Sequence, residues 1–124
     1  MGYMRHHAIV VSSWNKPLLS EAHAYATSMF PAISEIVPSD INGYASFFVP
    51  PDGSKEGWPD SDLGDSRRSD FIAWLRTKAY EDGSTSLDWV EVQFADDDLV
   101  TKVTAHSDER DLALAALKAG EGGK

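Results

Sequence analysis

The stretch Ser39-Asp40-Ile41-Asn42-Gly43-Tyr44-Ala45-Ser46-Phe47-Phe48-Val49 decides the fold. Asn-Gly is a strong signal for a tight hairpin, because both residues tolerate a left-handed backbone. The residues after it alternate. Ala45, Phe47 and Val49 share one face, and Tyr44, Ser46 and Phe48 share the other. A strand over 44–49 therefore pairs with an earlier strand, read as Ile33 to Val37 and ended by Pro38.

The flanks of this hairpin read as helices. Upstream, Leu18, Leu19, Ala22, Tyr25, Ala26, Met29 and Phe30 recur at helical spacing. Asn15 caps that helix, Pro17 sits in its first turn and Pro31 prevents its continuation. Downstream, Phe71, Ile72, Trp74 and Leu75 mark a second helix that ends near Ala79, with Asp60 or Ser61 as its cap. Before the first helix, His6 to Ser13 is a β-branched run apolar on both faces, hence a central strand. After the second, Leu87 to Phe94 alternates, Asp96 to Asp98 form a polar loop, and Leu99 to His106 is the last strand. The order is β-α-β-β-α-β-β. It predicts an α+β, ferredoxin-like sandwich with an extra strand and two helices on one sheet face. One domain spans 1–109, and 110–124 is a short helical or flexible tail.

If Val90 and Val92 face the helices, Tyr44, Phe48, Trp89, Glu91 and Gln93 line the open face. Such a face suits either a ligand or a second copy of the chain.

The chain has 124 residues, no cysteine and a formal charge of −9. Disulfides, thiol nucleophiles and thiolate metal sites are excluded. No apolar run approaches the ~20 residues of a spanning helix, and no signal-peptide pattern opens the chain. These features lead us to expect a cytoplasmic protein without membrane association. The acidity disfavours duplex nucleic acid and suits solubility, or docking on a basic host protein.

Catalytic and metal motifs are sparse. The four histidines, His6, His7, His23 and His106, are scattered and show no metal-ligand spacing. His7 and His106 would meet only if the first and last strands were neighbours. Neither His7-Ala8-Ile9 nor His106-Ser107-Asp108 fits the His-x-Thr or His-x-Ser of two-histidine phosphodiesterases. No P-loop, dinucleotide fingerprint or EF-hand occurs. The expectation is no metal, no cofactor and no catalytic residue, with a small His-dependent phosphodiesterase as an alternative.

The more informative signal is aromatic and basic. Arg67 and Arg68, read as lying in the first turns of the second helix, follow a loop carrying Lys55 and Trp58. Helix-start N–H groups, arginines and an indole together suit a phosphate with a stacked base. The opposing reading pairs the arginines with Asp62, Asp65 and Asp70. Trp14, Tyr44, Lys55, Trp58, Arg67, Arg68, Trp89, His7 and His106 are the candidate ligand-binding residues.

Several strings carry a resemblance. They are Arg5-His6-His7-Ala8-Ile9-Val10-Val11, Asn42-Gly43-Tyr44, Ser46-Phe47-Phe48, Pro51-Asp52-Gly53-Ser54-Lys55-Glu56-Gly57-Trp58 and Tyr80-Glu81-Asp82-Gly83-Ser84 with Leu87-Asp88-Trp89-Val90-Glu91-Val92. Over residues 5 to about 109 the chain resembles a family of small phage and prophage proteins. That resemblance brings no particular activity. Small phage proteins of this size often act against bacterial defences, and some are oligomeric sponges for cyclic nucleotide or cyclic ADP-ribose signals. The aromatic and basic middle of an acidic chain without a catalytic constellation, alike in that respect to such sponges, leads us to expect a non-catalytic, homo-oligomeric protein that sequesters a nucleotide-derived small molecule. The alternative is an acidic protein-interaction inhibitor of a host defence protein.

Overall fold

The computed structural model describes residues 3–4, 6–51, 55–56, 59–82, 84–95 and 100–108. The elements are β1 (Tyr3–Met4), β2 (His6–Ser13), α1 (Lys16–Met29), β3 (Val37–Pro38), β4 (Ala45–Val49), β5 (Lys55–Glu56), α2 (Pro59–Arg76), β6 (Asp88–Phe94) and β7 (Lys102–His106). The main sheet runs β3-β4-β2-β6-β7, and every pairing is antiparallel. With β7 set aside, this is the ferredoxin-like strand order, and β7 is the added strand. The expected fold class is the observed one. The tail at 110–124, the Asp96 to Asp98 loop and Trp58 lie outside the described residues.

The apolar pattern explains the layering. Ile9, Val11, Ala45, Phe47 and Val49 point from the sheet into the helices and are buried. Leu19, Ala22 and Ala26 of α1 and Phe71, Ile72 and Leu75 of α2 meet them. The Tyr25 ring stacks on Trp74 at 4.8 Å, and Phe30 meets Phe71 edge-on at 5.7 Å, closing the contact between the helices. α1 starts as expected: Asn15 Oδ1 accepts the Leu18 N–H at 3.2 Å. At the hairpin, Asn42 and Gly43 have φ of 65° and 66°, the left-handed pair that a tight turn requires.

Three expectations are corrected. First, residues 33–36 are not a regular strand, and β3 is only Val37–Pro38. The segment lies beside β4, but the Phe48 N–H donates to the Ser34 hydroxyl at 2.8 Å, so a side chain takes the place of a ladder bond. Second, α2 begins at Pro59, ahead of both expected caps. Proline suits a first helical position, since its missing N–H is not needed there. Third, the faces of β6 are reversed. Val11 pairs with Trp89 and Ile9 with Glu91, so Trp89, Glu91 and Gln93 face the helices while Val90 and Val92 face away. Burying the indole of Trp89, 5% exposed, removes more apolar surface from water than burying a valine would. A short ladder between β1 and β5, unanticipated from the sequence, also forms.

Candidate functional site

Two concavities flank Arg68, one on each side of α2. The first is an apolar pocket of about 250 Å³. Its walls are Phe30 and Pro31 after α1, Val49 to Pro51 after β4, and Leu63 and Gly64 of α2. Prolines build it for a physical reason. They end α1 and β4 in extended backbone that cannot continue either element, so rigid apolar rings are left at the edge of the core. Arg67 and Arg68 complete the lining.

The two arginines differ sharply. Arg67 is half-buried, and among the described residues no hydrogen bond or ion pair involves its guanidinium. Arg68 is only 7% exposed and is held by carboxylates. Its Nη2 donates to Asp65, one turn back, and to His7 Nδ1 at 3.3 Å; its Nε lies 3.4 Å from Glu91 Oε2. The second Glu91 oxygen accepts from the Thr104 hydroxyl at 2.6 Å. With Arg68 donating to Nδ1, His7 carries its ring proton on Nε2.

This network floors the second concavity, an open polar groove of about 470 Å³ between α2 and β7. Ser69, Ile72, Arg76 and Ala105 complete its lining. The Arg76 guanidinium stands 5.7 Å from the Trp89 ring centre. Two arginines face two carboxylates here, so the formal charges of the groove balance.

The expected site residues therefore divide. Arg67 and Arg68 meet at the pocket, and His7 joins Arg68 in the groove. Both arginines lie in the middle of α2 rather than in its first turns, so helix-start N–H groups are not beside them. Lys55 is in β5, which packs on α2; the side chains of Lys55 and Trp58 lie outside the described residues. Trp89 is buried beneath α2 and is not an exposed stacking platform. Trp14 (57% exposed) and Tyr44 belong to the opposite end of the sheet, since Ser13 pairs with Ala45. His7 and His106 do not meet: β6 separates their strands, and His7 faces the helices while His106 pairs with outward-facing Val90. A two-histidine centre is therefore absent from the described residues. His23 is structural, its Nε2–H donating to the Ser34 carbonyl at 2.9 Å.

Sequence reasoning missed the proline walls and the partners Glu91 and Thr104. The Pro31 and Pro50-Pro51 breaks were a usable signal for the walls. Glu91 was hidden by the reversed faces of β6.

A smaller recess of about 160 Å³ lies at the far end, lined by Ser84, Thr85, Asp88, Ser107 and Asp108. Partial burial, and then the neighbouring Asp108 carboxylate, raise the pKa of Asp88 above its usual value. Among the described residues no group of three His, Cys, Asp or Glu is placed to hold a metal, and no helix is long and apolar enough to cross a membrane. Comparison with known proteins finds no matching family model, no matching curated protein and no matching solved structure.

Proposed function

We propose that the protein is a non-catalytic binding protein that sequesters a nucleotide-derived small molecule, seating its flat ring system in the proline-walled pocket and its anionic group on Arg67. The observation that carries this reading is Arg67 itself. The chain has twenty Asp and Glu against eleven Lys and Arg. An arginine with no carboxylate partner among the described residues, on the rim of an apolar pocket, is the outlier in such a protein. Ligand sites combine apolar walls with a few placed polar groups in this way. The pocket's 250 Å³ suits one ring system, leaving sugar and phosphate at the mouth. There an arginine can engage two phosphate oxygens at once. The ligand class, an immune messenger such as a cyclic nucleotide or cyclic ADP-ribose, follows from a likeness to phage sponge proteins in aromatic and arginine content alone.

The test is a thermal-shift and calorimetric screen with mononucleotides, cyclic dinucleotides and cyclic ADP-ribose isomers. A ligand at about 100 times its dissociation constant adds roughly 2.7 kcal/mol of stability. Arg67→Glu is expected to remove the shift, while Arg76→Glu, in the polar groove, leaves it. The ligand should be recovered intact after heat denaturation, whereas recovery as product would make the protein an enzyme.

A further inference from the structure

We propose that Gly64 determines what the proline-walled pocket accepts, its missing side chain leaving a floor of bare helix backbone on which one planar ring system lies. This rests on the reading of that pocket as the ligand site, and deepens it by naming the residue that sets its depth.

Gly64 is an unexpected residue where it stands. It lies inside α2 (Pro59–Arg76), beyond the first turn. Apart from proline, glycine is the poorest helix former, because it loses the most backbone freedom. Nothing in the backbone asks for it. Among the described residues the glycine with positive φ is Gly43, so Gly64 keeps the ordinary helical conformation that any residue adopts. What glycine supplies at this position is space.

The space belongs to the pocket. Leu63, Gly64, Arg67 and Arg68 all line it. On a helix these positions span an arc of about 140°, and position 64 lies near the middle of that arc. Leu63 is 49% exposed and stands at the rim, whereas Gly64 is buried and forms the floor. Helical side chains lean toward the preceding turn, so Arg67 and Arg68, three and four residues on, reach back over Gly64. A side chain at 64 would therefore fill the gap between these arginines and the rings of Phe30, Pro31 and Pro50. Left open, the gap is about 250 Å³ and takes one ring system. A ligand with two bases seats one of them.

The test uses adenine and indole, flat rings with no anionic group, titrated by NMR into the full chain and its variants. Both rings should bind the native protein. Gly64→Ala should weaken binding about tenfold or more, and Gly64→Leu should abolish it. Both variants should melt a few degrees higher, since each replaces glycine with a better helix former. Ser66→Ala, at an exposed position of the same helix, should leave ring binding unchanged. Because the rings need no anion site, loss of their binding in the Gly64 variants would support the proposal even if no nucleotide bound. Failure of both rings to bind the native chain would overturn it, as would undiminished binding to Gly64→Leu. A lower melting temperature for Gly64→Ala would also overturn it, by showing that glycine is needed for close backbone packing instead.

Discussion

Arg67 and Arg68 are adjacent and chemically identical, yet one step of about 100° around the helix gives them different work. Arg68 is locked between Asp65 and Glu91, whereas Arg67 faces the pocket rim. Replacing Arg68 with Met leaves Glu91, a largely buried carboxylate, without its ion-pair partner. The expected loss is roughly 3 kcal/mol in denaturant unfolding. Arg67→Met should change stability by no more than about 0.5 kcal/mol. The Arg-Arg pair was legible in the sequence, and so was Asp65 as a partner three residues away. The role of Glu91 was not, because it depends on which face of a distant strand turns inward.

Asp88 gives a pH signature at the same scale. Its pKa is raised in the fold, so between the unfolded value of 3.8 and the raised value the folded state holds more of the proton. Stability therefore falls as pH rises through that window, and the penalty persists above it. Asp88→Asn should raise the melting temperature at pH 7 and leave it nearly unchanged near pH 3.

Among the elements, α1 was the most legible. Its apolar spacing, Asn15 cap and Pro31 stop act locally, and the helix ends one residue short of the expected Phe30. Asn15→Ala should cost about 1 kcal/mol in unfolding experiments, by freeing the Leu18 N–H from its cap. β6 was the least legible. Alternation revealed the strand but not its orientation, because Leu87, Trp89 and Val90, Val92 put apolar residues on both faces. Packing decides between them: the largest ring goes to the core, and Arg68 and Thr104 satisfy the acid that goes in with it. The start of α2 was misplaced for a similar reason. Asp60 and Ser61 have the chemistry of caps, but Pro59 is already pre-set for the first turn.

For the whole molecule, the strand order follows from the order of elements. Two β-α-β crossovers that interleave in one antiparallel sheet leave β2 in the centre and β7 on an edge. That arrangement separates two surfaces with different chemistry. The helix side carries the pocket and the charged groove. The bare side carries Val10, Phe48 and Val103, with Asp88 and Asp108 at one corner, and ligand capture at Arg67 should weaken with salt.

The most direct measurement is calorimetric titration of the nucleotide and cyclic-nucleotide panel into the protein and its Arg67→Glu variant. Binding of at least one member to the native chain, lost in the variant while its melting temperature holds, is the expected result. Equal affinity in both proteins, or no binding by any member, would contradict the assignment of Arg67 and its proline-walled pocket as the ligand site.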